Sequence, residues 1–161
     1  METQVSIIVP TYNEEKNIKK LVSMIDKEDI PSPYEILVVD DGNDKTAEIA
    51  RKMKCRVIIG KKQGLGQAIV DGIHFAKGKV LLVMDADLSH NPKSIHSMLR
   101  PIFEQGVDMT IGSRYVDGGG TKNWNLRRRA ISRIACLCAL PITGVKDATS
   151  GFFAFRKEIL N

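Results

Sequence analysis

Residues 80–92, VLLVMDADLSHNP, contain the side chains whose types and spacing are best suited to chemistry. Five apolar residues predict a strand buried on both faces, and Asp85 and Asp87 follow it directly. Because the two carboxylates are two positions apart in extended chain, they lie on one side and can both reach one cation. Oxygen ligands favour Mg²⁺ or Mn²⁺, which complete their coordination with water and substrate phosphates. The pattern therefore indicates a metal site for a phosphorylated substrate.

The D-x-D triplet alone leaves a second interpretation open, in which two solvated acids simply end a strand. Asn91 is then the N-cap of the next helix and Pro92 is its first residue. A short motif of this kind is decided by its structural context, so the elements around it have to be considered first.

Length and composition describe one globular domain that suits an anionic partner. The chain has 161 residues, of which 43% are hydrophobic and 27% are charged. Its 24 Lys and Arg against 19 Asp and Glu give a formal charge of +5, which fits phosphate, nucleic acid or anionic lipid. Cys55, Cys136 and Cys138 lack zinc-site spacing and indicate reduced thiols in a cytosolic environment. The sequence shows no secretory signal and no apolar run of the ~20 residues that would span a bilayer.

Alternating strands and helices are predicted to position the acidic pair. Strands are expected at 5–9, 35–39, 56–59, 80–84 and 108–111, with Pro10 ending the first. Helices are expected at 18–25, 44–53, 65–76 and 95–103, with Pro101 kinking or shortening the last. This alternation predicts a parallel α/β sheet, and ligands of such sheets bind outside the carboxyl ends of the strands.

The last third of the chain has a different character. Residues 124–140 interleave four arginines with apolar side chains in a basic amphipathic pattern. The pattern fits a helix on a membrane surface, and it fits equally an ordinary surface helix that covers the sheet. The final residues, RKEILN, read as the opening of another helix, so a sequence truncated at its C-terminus is expected.

Seven sequence words together resemble the family 2 glycosyltransferases of GT-A fold, and within them the dolichyl-phosphate mannose synthase group. The words are IIVPTYNEEKNI, EILVVDDG, GLGQAIVDGIHFAKG, VLLVMDADLSHNP, IGSRYVDGG, WNLRRRAISR and DATSGFFAFRKEIL. They cover almost the whole chain, and the combination of MDADLSH, GSRY and TSGF is specific. The resemblance implies one catalytic domain over residues 1–161. Its α/β fold is the GT-A (Rossmann-like) nucleotide-diphospho-sugar transferase fold, a mostly parallel central sheet flanked by helices.

The same resemblance implies a role for individual residues. The base pocket of the donor nucleotide-sugar is implied to consist of Pro10, Tyr12, Glu14, Val38 and Asp40. The sugar, the ribose and the metal-bound diphosphate are implied to contact Asp85, Ala86 and Asp87, the two acids being the Mg²⁺ or Mn²⁺ ligands. The acceptor phosphate is implied to be held by Arg114, Arg128 and Ser132, and the catalytic set is Asp85, Asp87 and Arg114.

Two departures from the family pattern bear on specificity. Asn43 alone separates Gly42 from Asp44, so this loop is one residue shorter than usual and the donor base stays open. Ser89 stands where a longer oxygen or amide ligand is common, which leaves water for the third metal contact.

The activity implied by the resemblance is inverting transfer of a hexose, with mannose from GDP-mannose favoured, to a polyprenyl (dolichyl) phosphate. A phosphate monoester is already anionic near neutral pH, its second pKa being about 6, so it can attack the sugar without a strong base. The implied location is the cytoplasmic face of a membrane, with peripheral contact and no nucleic-acid partner. Three alternatives stay open: UDP-glucose as donor, a polysaccharide or protein acceptor with Asp147 as base, and a non-catalytic nucleotide-binding module. The oligomeric state is left open.

Overall fold

The computed structural model describes residues 2–113, 136, 145 and 147–160. The strands are β1 Val5–Thr11, β2 Tyr34–Asp40, β3 Arg56–Ile59, β4 Val80–Val83, β5 Met109–Ile111 and β6 Phe153–Arg156. The helices are α1 Ile18–Ile25, α2 Thr46–Lys52, α3 Leu65–Phe75 and α4 Ile95–Glu104, with 3₁₀ turns at Pro92–Ser94 and Lys157–Leu160. All nine predicted elements are therefore present within a few residues of their expected ends.

The six strands form one sheet in the order β3-β2-β1-β4-β6-β5. The pairs β1–β2, β1–β4 and β2–β3 are parallel, whereas β6 is antiparallel to both of its neighbours. One face packs against α1, α2 and α4, and the other face packs against α3. The predicted α/β fold with a mostly parallel central sheet between helices is confirmed.

Alternate residues of β1 supply the two cores. Ile7 and Val9 belong to the cluster with α1 and α4, and Ile8 belongs to the cluster with α3. Gly72 of α3 lies so close to Ile8 that a Cβ at this position would overlap the isoleucine side chain. The small residue thus lets α3 pack tightly on the sheet, beside the carboxyl ends of the strands.

The first strand runs two residues beyond its predicted end, through Pro10 to Thr11. Met84 N–H donates to the carbonyl of Ile8 at 3.1 Å, and Asp41 N–H donates to the carbonyl of Thr11 at 2.9 Å. Because backbone groups of alternate residues point to opposite sides, the nitrogen of Pro10 points toward β4, past that strand's end. The absent N–H therefore ends the ladder to β4 while the ladder to β2 continues.

The prediction missed β6 and, with it, the antiparallel pairs at one edge of the sheet. Phe153–Arg156 lies between these two strands, pairing Val83 with Phe153 on one side and Ile111 with Phe153 on the other. Its sequence alternates between large and small apolar residues, and the two kinds face opposite sides of the sheet. Phe153 and Phe155 stack with ring centroids 6.0 Å apart, while Ala154 belongs to the core on the other face. Four residues of alternation are easily overlooked beside the long apolar runs of the parallel strands.

Pro101 does not shorten α4, which continues through it to Glu104. Two donors from the sheet support this part of the helix: Thr110 Oγ1 donates to the carbonyl of Met98 at 2.8 Å, and the Arg156 guanidinium donates to the carbonyl of Ile102. Over the described ranges of the chain, no helix combines the length and apolar character required to span a bilayer.

Candidate active site

A cavity of about 450 Å³ opens at the carboxyl ends of β1, β2 and β4. It is lined by Pro10, Thr11, Tyr12, Glu14, Asp41, Lys62, Gly64, Leu65, Ala68, Asp85, Ala86 and Asp87. This is the edge of the sheet at which the alternation of strands and helices predicted a ligand site. The acids after the central strand therefore line a cleft that is open to solvent.

Asp85 and Asp87 both line this cavity, as the metal interpretation requires. The Asp85 side chain is 36% exposed, and Asp87 is exposed while its Oδ1 accepts the N–H of Ser89 at 2.9 Å. Within the described residues, no group of three His, Cys, Asp or Glu side chains could enclose an ion. Two carboxylates on an open cavity fit a hard divalent cation that keeps water and phosphate oxygens as its other ligands.

The capping role predicted for Asn91 is also present. Its side chain accepts the N–H of Lys93 at 3.2 Å, and the buried Pro92 opens the 3₁₀ turn that leads into α4. The turn between Asp87 and this cap is tight, because Leu88 adopts a left-handed φ of 62°. The cap at Asn91 is therefore compatible with either interpretation of Asp85 and Asp87, a metal site or a pair of solvated acids.

Four of the residues expected at the donor site line the cavity. Pro10 and Ala86 are two of them, and Tyr12 presents a ring that is 64% exposed. Glu14 is held by its neighbours, since its N–H donates to Thr46 Oγ1 at 2.8 Å and its Oε2 accepts Asn17 Nδ2 at 2.7 Å. The first strand and the loop after it thus build one wall.

Val38 and Asp40, also expected in the base pocket, do not line the cavity. Val38 is 0% exposed in the core under α1, and Asp40 Oδ1 accepts the Thr11 hydroxyl at 2.7 Å. Residues two apart in a strand share a face, so Asp40 follows Val38 away from α3. Asp41, one residue later, lines the cavity instead.

Asp41 and Lys62 were missed by the sequence reasoning and lie together at the end of the cavity nearest β2. Asp41 Oδ1 accepts the backbone N–H of Lys62 at 3.0 Å. Gly60 makes room for this carboxylate, because a Cβ there would overlap Asp41 Oδ1. The Lys62 ammonium donates to Asn43 Oδ1, and the Asn43 N–H donates to Asn13 Oδ1 at 2.9 Å. The loops after β1, β2 and β3 are therefore joined around this end of the cavity.

The start of α3 completes the cavity wall. Gly64 precedes the helix with a φ of 91°, a left-handed conformation that favours glycine, and Leu65 and Ala68 follow it along the wall. The N–H groups at the start of an α-helix carry partial positive charge, which favours an anionic ligand in this cleft.

The three residues expected to hold an acceptor phosphate, Arg114, Arg128 and Ser132, lie outside the described residues. Of the basic segment 124–140, only Cys136 is described, and it is buried.

Asp147, the alternative base, does not line the cavity. It is 1% exposed, and its Oδ1 accepts Cys136 Sγ at 3.5 Å and Thr149 Oγ1 at 3.4 Å. The loop that follows it does reach the acidic pair, since a Cβ on Gly151 would lie 3.1 Å from Asp85 Oδ2.

A mostly parallel sheet with an acidic pair lining a cleft at its carboxyl edge fits the α/β domain of the GT-A class that the sequence predicts. The chain belongs to glycosyl transferase family 2, whose family model matches residues 6–161. A dolichol-phosphate mannosyltransferase of Pyrococcus furiosus is 44% identical over 167 residues, which span 98% of this chain and 47% of the relative. A dolichol-phosphate mannosyltransferase of Saccharomyces cerevisiae is 33% identical, with 99% of this chain and 63% of the relative covered.

Among solved structures, the fold is shared with glucosyl-3-phosphoglycerate synthase from Mycobacterium tuberculosis. The structure of that enzyme with Mn²⁺, UDP-glucose and phosphoglyceric acid superposes with a TM-score of 0.75 at 18% identity. The superposition covers 98% of this chain and 58% of that one. The chain thus spans about half to two thirds of the length of the relatives named above.

Proposed function

We propose that the protein is an inverting glycosyltransferase that transfers mannose from GDP-mannose to a dolichyl or related polyprenyl phosphate. The observation that carries this proposal is the cavity at the carboxyl edge, with Asp85 and Asp87 at one end and Asp41 at the other. The 44% identity to a mannosyltransferase that acts on dolichol phosphate supports the choice of sugar and acceptor.

The nucleotide is proposed to lie across the end of β1. Asp41 follows β2 and Asp85 follows β4, with β1 between them, so the strand ends that carry the two carboxylates are about 10 Å apart at ~4.8 Å per strand. That separation suits a base at Asp41 and a diphosphate at Asp85. The exposed ring of Tyr12 also lines the cavity and offers a surface for stacking.

Asp85 and Asp87 would hold Mg²⁺ or Mn²⁺, which when bound supplies positive charge to the departing nucleoside diphosphate. The acidic pair itself places this charge at one end of the cavity, and the backbone N–H groups at the start of α3 add to it along the wall. The protein's contribution to the reaction is thus positioning and charge stabilisation rather than proton abstraction.

The acceptor proposal rests on Arg114, Arg128 and Ser132. In a helix, positions 128 and 132 would share one face, where a guanidinium and a hydroxyl can hold one phosphate. A lipid phosphate places the reaction at a membrane surface, and the basic segment 124–140 suits peripheral contact with an anionic cytoplasmic face. A base-dependent acceptor is disfavoured, because Asp147 is buried and does not line the cavity.

Donor-dependent labelling of lipid phosphate tests the proposal. Radiolabelled GDP-mannose and UDP-glucose are each incubated with dolichyl phosphate, Mn²⁺ and the chain, and labelled lipid is extracted. Label is expected from GDP-mannose and is expected to vanish with Asp87→Asn. Label from UDP-glucose alone would contradict the choice of GDP-mannose as donor. Nucleotide binding without any labelled lipid would favour a non-catalytic nucleotide-binding module.

The acceptor side needs a test of its own. Arg128→Ala is expected to raise KM for polyprenyl phosphate or abolish transfer while leaving the affinity for GDP-mannose nearly unchanged. Lost GDP-mannose affinity with a normal KM for the lipid would instead move Arg128 to the donor side.

A further inference from the structure

We propose that His90 is a positioning residue that holds Asp85 in place as the chain leaves the sheet at the metal end of the cavity. The proposal rests on the proposed function in one respect, because it takes Asp85 as a ligand of the divalent cation. It assigns a role to the histidine of the DADLSH segment that neither the acidic pair nor the N-cap of α4 requires.

The geometry of the strand end creates the need for such a residue. Met84 N–H makes the last ladder bond of this strand to β1, so the N–H of Asp85 points to the opposite side, toward β6. Continuing the β4–β6 register, in which Val83 faces Phe153, would place Gly151 opposite Asp85. β6 begins only at Phe153, and the Asp85 N–H donates instead to His90 Nδ1 at 3.2 Å.

The imidazole is itself held firmly, so it can serve as a fixed acceptor. Its side chain is 14% exposed, and its ring stacks on Phe152 with centroids 5.1 Å apart and planes at 16°. Phe152 belongs to the buried core beneath α4. Because Nδ1 accepts a hydrogen bond, the ring proton resides on Nε2, which defines the tautomer.

The carboxylate of Asp85 lies near the same ring, since its Oδ2 is 3.8 Å from His90 Nδ1, and a Cβ on Gly151 would lie 3.1 Å from that oxygen. The histidine therefore acts on Asp85 through its backbone N–H, and this bond sets the position from which the carboxylate reaches the cavity. Loss of the Nδ1 acceptor is expected to leave Asp85 less firmly placed and to lower the affinity for the divalent cation. Residues that hold metal ligands in place typically contribute 10- to 100-fold to metal affinity.

Three substitutions at His90 distinguish the effect of its hydrogen-bond acceptor from the effect of its ring packing. His90→Asn retains an acceptor near the position of Nδ1, His90→Gln moves its amide toward the position of Nε2, and His90→Phe keeps the stack on Phe152 without any acceptor. His96→Phe is the matched control, since His96 is an exposed histidine on α4. The readouts are the Kd of Mn²⁺ in the presence of GDP, measured by electron paramagnetic resonance, and Tm without metal.

His90→Phe and His90→Gln are expected to raise the Kd of Mn²⁺ about tenfold or more, while His90→Asn stays within about threefold of the unchanged protein. His96→Phe should leave the Kd unchanged. Wild-type affinity in His90→Gln, or equal weakening in His90→Asn and His90→Gln, would overturn the proposal even where His90→Phe fails to fold. Unchanged Mn²⁺ affinity in Asp87→Asn would instead show that the proposed metal site itself is wrong.

Discussion

Asp44 Oδ2 accepts the backbone N–H of Glu15 at 3.0 Å, and this bond joins the loop after β1 to the start of α2. The other oxygen of Asp44 accepts the Thr46 N–H at 2.9 Å, and the Thr46 hydroxyl accepts the Glu14 N–H at 2.8 Å. The turn that carries Tyr12 and Glu14 into the cavity is therefore held by two side chains at the beginning of α2.

Replacing this carboxylate should affect stability and nucleotide binding together. Asp44→Ala removes the acceptor of two backbone N–H groups, so the free energy of unfolding should fall by about 1–2 kcal/mol. Because the Glu14 turn loses one of its supports, the Kd for GDP measured by calorimetry should also rise. Asp29→Ala, at an exposed position between α1 and β2, is the control and should change neither quantity. Unchanged GDP affinity in Asp44→Ala would show that the turn is held without Asp44.

At the opposite edge of the sheet, Glu35 makes stability depend on pH. Burial alone raises the pKa of this carboxyl, but hydrogen bonds from Ser6 Oγ at 2.7 Å, the Lys77 N–H at 2.8 Å and the Arg56 guanidinium lower it below its ordinary 4.5. A lowered pKa in the folded state means that the charged form contributes stability above pH 4.5. This contribution is lost as the pH falls from 4.5 through the lowered pKa.

Glu35→Gln should therefore remove part of the acid sensitivity. At pH 7 the variant should lose about 1–2 kcal/mol of unfolding free energy in urea titrations, and the difference from wild type should shrink at acid pH. Glu104→Gln, which breaks only the exposed pair with Arg100, should behave like wild type at every pH. A constant difference between Glu35→Gln and wild type across the pH series would contradict this account.

Gly60 is required by the position of a neighbouring side chain. A Cβ at this residue would overlap Asp41 Oδ1, so Gly60→Ala must displace a carboxylate that also accepts the Lys62 N–H. The expected cost is about 1–3 kcal/mol in the free energy of unfolding, measured by urea titration. Gly66→Ala is the matched change, because nothing lies within 4 Å of its Cβ position in α3, and it should be neutral or stabilising by up to ~1 kcal/mol. Equal stability of the two variants would refute the requirement.

The sequence was sufficient for the parts of the fold that local pattern specifies. Apolar runs and 3.6-residue spacing located β1 to β4 and the four helices, and the position of Asp85 after β4 located the cavity. The insertion of β6 between β4 and β5 could not be read this way, because strand pairing depends on contacts between residues 42 to 76 positions apart.

The difference between the expected and the observed lining of the cavity has a similar cause. Asp40 and Asp41 are adjacent carboxylates after the same apolar run, and only the pleat of β2 decides which of them turns toward α3. The alternation already held this information, since Asp41 shares its side of the chain with Val39, which packs in the cluster under α3. Lys62 carries no such signal, because a lysine in a loop has no periodicity from which its side could be inferred.

The placement of Asp41 makes a prediction about the donor base. A carboxylate can accept two hydrogen bonds in parallel from the N1–H and the 2-amino group of guanine. Hypoxanthine lacks the 2-amino group, and uracil offers one N–H beside carbonyl oxygens that a carboxylate repels. The Lys62 ammonium, which lies in the same loop cluster, is a donor of the kind that a 6-keto oxygen accepts. The unchanged protein should therefore bind GDP more tightly than IDP, and IDP more tightly than UDP.

Asp41→Asn should abolish this order, because the amide lacks the charge and one acceptor. Its affinity for GDP should fall about tenfold to hundredfold, the amount typical of a lost charge-assisted hydrogen bond, while its affinity for UDP changes less. Asp40→Asn is the control: Asp40 is bonded to the Thr11 hydroxyl and does not line the cavity, so this variant should keep the preference for GDP despite any loss in Tm. Calorimetry with the three diphosphates and Mn²⁺ decides between the two acids. A lost preference in Asp40→Asn with a retained one in Asp41→Asn would return the base contact to Asp40.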